Sequence, residues 1–257
     1  MIDFSLSPMR ADRTLLTTST GEPFQPVRLT YSIPGKAFVT NVFSKLSCMA
    51  EDREAGRWGW FYTAEAAALE FGLRSEERRD NVEPIVIGIC RFPKKSSMTL
   101  ELRSVTRAIE AAKFFGPILG PKVVARRARI VNRYFDGSEL TGNLADLDKH
   151  LDQNVTVIDP RVAEAKLDEY LAEAKTPEQA KLAYERYYDD RRKERRDVPL
   201  VDDFPLAPQE ETPDFKHLTI ALQLRLFRAH EHWNGNPIIL RDILEQLMAK
   251  DTVGRME

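Results

Sequence analysis

The stretch PIVIGICRFPKKSSMTLELRS, residues 84–104, carries the clearest indication of how this chain folds. Its first part, PIVIGICRF, is a continuous apolar run of strand length, which is typical of a strand that is covered on both faces and central in a sheet. In MTLELRS, residues 98–104, apolar and polar residues alternate, which predicts a strand with one buried face. The turn PKKSS between them predicts that the two strands pair with each other.

The segments before this stretch fit the same sheet. Residues 28–43, RLTYSIPGKAFVTNVF, are interpreted as two strands joined into a hairpin at Pro34-Gly35, because proline and glycine suit a tight turn. The aromatic run RWGWFYT predicts a further strand. A helix over AEAAALEF should follow, with Thr63 as its N-cap and Gly72 as its end.

The segment after this stretch is compatible with two secondary structures. A predicted helix over VTRAIEAAKFF, ended by Gly116-Pro117, is followed by KVVARRARIVNRYF, residues 122–135. As a helix, this segment would start at Pro121 and end at Gly137. As a strand, it would return to the sheet after the helical crossover, and its β-branched and aromatic residues suit a pleated surface. The helical alternative places Lys122, Arg126, Arg129 and Arg133 on one stripe, whereas the strand alternative separates Arg126 from Arg127, Arg129 and Arg133.

The whole chain is predicted to be an α+β protein, with an N-terminal mixed β-sheet with packed helices and a helical C-terminal half. LADLDKHL is a short helix candidate and VTVIDP a short strand candidate. The C-terminal helical segment is apolar on more than one side, so it should pack back on the sheet or form a homodimer. The predicted divisions are an α+β domain (1–159), a helical hairpin (160–196), an acidic Pro-rich connector (197–214) and a C-terminal helical segment (215–257).

Composition bounds the kind of protein. A chain of 257 residues that is 42% hydrophobic and 30% charged is expected to fold. Two cysteines are too few for a disulfide framework, which favours a reducing compartment. No run approaches the roughly 20 apolar residues of a membrane helix. These features predict a cytoplasmic protein with no membrane contact.

Motifs for catalysis, metals and cofactors are weak. In HEHW the two histidines, His230 and His232, are two positions apart and would point away from each other on a helix, so no metal is expected. No glycine-rich phosphate loop is present, and no serine or cysteine is linked by sequence to a base. The turn PKKSS offers ammonium and hydroxyl groups to an anion, although a solvated turn explains it as well. We therefore expect no cofactor and do not favour an enzyme.

Charge is distributed unevenly. Residues 84–135 hold eleven Lys or Arg against Glu101 and Glu110, so this basic centre carries +9, and the remaining chain carries −11 to give the net charge of −2. The connector, residues 197–214, contains several acids and no basic residue, so it is one candidate partner for the basic centre. The residues expected to contact an anion or a nucleic acid are Arg91, Lys94, Lys95, Lys122, Arg126, Arg129 and Arg133.

Three functions follow as hypotheses. The first is a non-enzymatic interaction or scaffold protein whose basic central face meets an acidic protein partner or its own acidic connector. The second is binding of RNA or single-stranded DNA by that face, with aromatics such as Trp58 and Trp60 as stacking surfaces, unless these belong to the core. The third is an enzyme whose site is assembled from scattered residues.

Overall fold

The computed structural model describes residues 9, 12–71, 84–139, 146–157, 159–194, 201–206, 215–236, 238, 242 and 243. The strands within them are β1 (Val27–Ser32), β2 (Met49–Asp52), β3 (Arg57–Phe61), β4 (Val86–Lys94), β5 (Ser97–Leu102), β6 (Val124–Val131), β7 (Val155–Val157) and β8 (Val201–Pro205). The helices within them are α1 (Lys36–Phe43), α2 (Val105–Leu119), α3 (Asp148–Leu151), α4 (Pro160–Leu171), α5 (Pro177–Glu194) and α6 (Phe215–Trp233).

All eight strands join one mixed sheet in the order β2-β3-β4-β5-β1-β6-β8-β7. Neighbouring strands are antiparallel except β7 and β8, which are parallel. Three of the helices, α4, α5 and α6, lie in the C-terminal half of the chain. The predicted α+β class with an N-terminal mixed sheet is therefore confirmed.

Strands β4 and β5 form the hairpin predicted around the PKKSS turn. Gly88 lies opposite Leu102, and Cys90 lies opposite Leu100. A Cβ atom on Gly88 would lie 2.9 Å from Leu102 Cδ2, so a glycine is needed where these side chains pack against the strand. β4 lies between β3 and β5, which is the interior position that its apolar run predicts.

One face of the sheet, here called the helix-covered face, carries the main hydrophobic core. Helix α2 packs on β1 and β5, and α1 and α6 pack against α2. Trp60 of β3 is fully buried, and its ring centroid lies 4.8 Å from that of Phe115. Burying a large apolar side chain contributes roughly 1.5–3 kcal/mol. The central strands contribute Val27, Leu29, Tyr31, Met98, Leu100 and Leu102 to this core.

A buried ion pair ties the segment before β1 to α2. Arg107 Nε donates to Glu22 Oε1 at 2.6 Å, and the two side chains are 0% and 2% exposed. Thr20 and Ser104 donate their hydroxyl hydrogens to the Glu22 carboxylate at 2.6 and 3.1 Å. Burial raises the pKa of Glu22, but the charge of Arg107 and hydrogen bonds that include the one from Thr20 outweigh it and hold the pKa below its usual value.

Two predictions for the N-terminal region are wrong. Residues after Pro34-Gly35 form α1 and not a second strand, because Val39 and Phe43, one turn apart, are both buried against the core. The helix expected after Thr63 is one short 3-10 turn, Ala64–Ala66. Its Gly72 end lies outside the described residues.

Most of the segment 122–135 forms strand β6 (Val124–Val131), so its helical alternative is wrong. β6 pairs with β1 on one side and with β8 on the other, and this pairing satisfies its backbone on both edges. Helix α2 continues past the predicted stop at Gly116-Pro117 and ends at Leu119. Gly120 follows with φ of 70°, a conformation that glycine adopts readily, and its N–H donates to the carbonyl of Gly116 at 3.0 Å.

The C-terminal half contains the predicted helical hairpin of α4 and α5. Asp159 caps α4 by accepting a hydrogen bond from the N–H of Arg161 at 2.9 Å. Residues Val201–Pro205 of the connector form β8, which lies inside the sheet between β6 and β7. Helix α6 packs on α2 of the same chain, and no helix among the described residues is long and apolar enough to cross a membrane.

Candidate functional site: the basic end of the sheet

Four adjacent strands bring basic residues to one end of the sheet. Lys94 lies opposite Ser97, Ser97 opposite Ser32, and Ser32 opposite Val124. One end of the sheet is therefore formed by the end of β4, the start of β5, the end of β1 and the start of β6. With strands about 4.8 Å apart, these four chain ends span about 14 Å. We call this region the basic end.

The basic end contains four of the seven residues predicted as anion contacts, and all four are exposed. Lys94 closes β4, Lys95 lies in the turn to β5, and Lys122 lies just before β6. Arg126 occupies a β-bulge, because Thr30 pairs with Arg127 whereas the next residue of β1 pairs with the residue before Arg126. A bulge changes the direction of a side chain at a strand edge, which accounts for the exposure of Arg126.

A fifth cation, Lys36, joins the basic end from α1. Its Nζ lies 5.5 Å from the centroid of the Phe92 ring, which is a cation–π distance. Among the described residues, no carboxylate oxygen lies within 4.0 Å of the charged groups of Lys36 or of the other four cations at this end. The basic end therefore keeps its positive charge unneutralised by the described part of the chain.

The other three predicted contact residues are ion-paired. Arg91 is paired with Glu101 of the neighbouring strand. Arg129 Nη2 lies 2.7 Å from Asp203 of β8, and Arg133 Nη1 lies 2.6 Å from Glu139. The structure therefore separates the seven residues into two sets, and only the set at the basic end lacks acidic partners.

The ion pairs of Arg91 and Arg129 belong to the polar face, which is the side of the sheet opposite the helix-covered face. Glu101 also lies 3.0 Å from the Nε of Arg28, and Asp203 accepts a bond from Arg127 Nε at 2.8 Å. Asp148 of α3 and Asp152, which follows that helix, add two further carboxylates next to Arg28. The polar face thus balances the cations Arg28, Arg91, Arg127 and Arg129 with the acids Glu101, Asp148, Asp152 and Asp203.

The two tryptophans considered for base stacking do not lie on the polar face. Trp58 and Trp60 are 7% and 0% exposed and belong to the main core. Phe61 and Tyr62 are half-buried. Phe38 of α1 is 39% exposed, but it lies two positions after Lys36 on the helix, so the two side chains point in different directions.

Reactive side chains are placed unfavourably for catalysis. Burial, with a smaller effect of Glu65, raises the pKa of the Cys48 thiol to about 11, and burial raises that of Cys90 further. Both thiols are therefore protonated and poor nucleophiles near neutral pH. His230 is buried, and His232 contacts the carbonyl oxygen of Ile238 at 3.2 Å. Within the part of the chain that the structure describes, no three His, Cys, Asp or Glu side chains are arranged to hold a metal ion.

No protein family model matches this chain, and no curated protein or solved structure does either.

Proposed function

We propose that this chain is a non-enzymatic interaction protein that binds an acidic segment of a partner protein at the basic end of its sheet. The supporting observation is the contrast between the two sets of basic residues. The cations of the polar face are paired with acids of the same chain, whereas those of the basic end are exposed and have no acidic partner among the described residues.

Charges of one sign that are clustered on a surface attract a ligand of opposite sign from beyond contact distance. The four strand ends that carry the basic end span about 14 Å. This width is comparable with the Debye length of about 10 Å in 0.1 M salt. The fields of the five cations therefore overlap.

An acidic protein segment fits this surface better than a single-stranded nucleic acid. Phosphates would be attracted by the same cations, but bases need exposed aromatic faces on which to stack. The tryptophans that could have served this purpose, Trp58 and Trp60, are in the core. A segment with several Asp or Glu residues needs only the exposed cations.

The proposal is tested by charge reversal. We expect a labelled peptide of alternating Asp, Glu and Leu residues to bind the full chain in fluorescence anisotropy at low salt. The double variant Lys94→Glu/Lys95→Glu should weaken this binding by at least about tenfold, since two attractive contacts become repulsive. The matched control is Lys175→Glu/Lys181→Glu, which reverses two exposed lysines of the helical hairpin and changes net charge equally.

Two results would overturn the proposal. If the control variant weakens binding as much as the Lys94 and Lys95 variant, the attraction follows net charge and not the basic end. If an oligothymidine of equal length binds more tightly than the peptide, with a steep dependence on salt that Lys122→Ala reduces, the ligand is a nucleic acid.

A further inference from the structure

A second surface lies along the edge strand β2, between β2 and α1. It is a groove of about 580 Å³. One wall is a helical stripe of small residues at spacings of three and four, Ala37, Thr40, Asn41 and Ser44. Its floor and other wall are formed by Met49, Glu51, Arg53 and Trp58.

The backbone of β2 offers unpaired groups along this groove. The N–H of Phe61 donates to the carbonyl of Cys48 at 2.8 Å, and bonded positions alternate along an antiparallel pair. Ala50 and Asp52 therefore bond to β3, whereas the backbone groups of Met49 and Glu51 point away from it. The N–H of Met49 donates to the carbonyl of Leu46. The carbonyl of Met49 and both backbone groups of Glu51 have no hydrogen-bond partner among the described residues.

The side chains of the groove present acceptors. The hydroxyl groups of Thr40 and Ser44 donate to the backbone carbonyls of Ala37 and Asn41, so their oxygens are left to accept. Glu51 adds a carboxylate, whose one described ion pair is with Arg53 at 3.2 Å. The side chain of Arg53 is 89% exposed, so this pair is weak and easily exchanged.

The floor of the groove suits an aliphatic chain that ends in a cation. Met49 supplies a flexible apolar surface, and Trp58 supplies its ring. The indole Nε1 of Trp58 is shut off from solvent, so it does not compete as a donor. A lysine or arginine could pack its methylene groups on this floor and donate to Glu51 and the hydroxyl oxygens.

We propose that the groove binds an extended basic peptide, which adds to the sheet beside β2 and places a Lys or Arg side chain opposite Glu51. Strand addition uses the outward backbone groups for affinity and an alternate side chain for specificity. Because Met49, Glu51 and Trp58 lie on the helix-covered face, a residue opposite Glu51 would point toward α1. The groove is lined by residues other than the five cations of the basic end, and it selects a basic ligand whereas the basic end selects an acidic one.

A second copy of this chain is a poorer occupant. Antiparallel pairing of two β2 strands would bring the Glu51 and Asp52 carboxylates of both copies together, and like charges across a strand pair are destabilising. A foreign strand with a basic residue removes this repulsion and gains an ion pair. The charge of the edge therefore favours a basic partner segment over self-association.

The test uses short blocked peptides of alternating Thr and Val with one central residue. Anisotropy with the full chain should give saturable binding for central Lys, weaker binding for norleucine and the weakest for Glu. Methylation of the backbone nitrogen of the central Lys should reduce binding by about tenfold or more, because it removes the N–H that donates to the backbone carbonyl of Glu51. Absence of saturable binding, equal binding of the three peptides, or no effect of methylation would refute the proposal.

Two protein variants locate the site. Glu51→Gln should lower the affinity for the Lys peptide about tenfold and change the affinity for the norleucine peptide by no more than about twofold. The control Glu173→Gln should change neither affinity. Ala37→Trp, at an exposed position on the groove wall, should block all three peptides. Circular dichroism confirms that each variant is folded. A dimer in sedimentation that Glu51→Lys strengthens and the Lys peptide dissociates would instead assign the groove to a second copy.

Discussion

Replacement of Arg107 by methionine is predicted to destabilise the fold severely. The change removes the 2.6 Å ion pair to Glu22, a 2.8 Å bond to Thr20 and a 3.2 Å bond to the carbonyl of Val86. It leaves the Glu22 carboxylate, which is 2% exposed, with hydroxyl donors but no positive charge. Breaking a buried pair in this way costs about 3–5 kcal/mol, a large part of a typical stability of about 5–15 kcal/mol.

The pH dependence of this loss provides a sharper test. In the native chain the pKa of Glu22 is lowered, so its contribution to stability is present above the unfolded pKa of about 4.3 and is lost as pH falls through the folded value. Without Arg107, burial should raise the pKa of Glu22, and the variant should gain stability on protonation. Urea unfolding should therefore show a large difference between the two proteins at neutral pH and a smaller one near pH 4.

A double-variant cycle separates the pair from the packing. Glu22→Gln removes the charge that Arg107→Met leaves unpaired, so the two changes together should cost clearly less than their sum. A loss below about 1 kcal/mol for Arg107→Met, a difference that is unchanged by pH, or strict additivity in the cycle would each refute the reasoning.

Three further predictions concern the sheet and its first edge. Gly88→Ala should cost about 1–3 kcal/mol in urea unfolding, because its Cβ would lie 2.9 Å from Leu102 Cδ2; an unchanged stability would contradict this packing. The carboxylate of Glu65 accepts backbone N–H bonds from the residues before β2, which lower its pKa to about 2, so NMR should show it titrating near that value; its stabilising effect is present above the unfolded pKa and lost as pH falls toward 2. Cys48, whose thiol pKa burial raises to about 11, should resist iodoacetamide at pH 8 until the chain is unfolded, and rapid labelling of the native protein would contradict its burial.

Sequence predicts this fold where neighbouring residues decide it. The β4–β5 hairpin is predictable because its apolar run, its alternation and its turn all lie within residues 84–104. Residues 36–43 are mispredicted because the β-branched composition suggests a strand, whereas burial of Val39 and Phe43 against distant rings selects a helix. Residues 122–135 satisfy both templates locally, and only their pairing with β1 and β8 resolves them.

The sequence predicts which basic residues are candidates for the site, but it does not predict which of them are paired with acids. Lys94 and Lys95 were found because their turn is local. Arg129 was grouped with them, although its partners, Asp152 and Asp203, lie 23 and 74 residues away and meet it only through the sheet. Lys36 was missed because a predicted hairpin gave it no place near the β4–β5 turn. The sequence therefore does not predict ion pairs between residues that are far apart along the chain.

Strand β8 explains why Arg127 and Arg129 of the polar face have an acidic partner, whereas the cations of the basic end have none among the described residues. Adjacent residues of a strand point to opposite faces, so Asp203 meets Arg127 and Arg129 on the polar face while Asp202 turns to the helix-covered face. There Asp202, 1% exposed, lies 3.5 Å from Arg228 of α6. One acidic dipeptide thus supplies carboxylates to both sides of β6. The strand ends beside Arg126, where its last ladder bond joins the N–H of Leu206 to the Arg126 carbonyl, so neither carboxylate reaches the cations beyond that point.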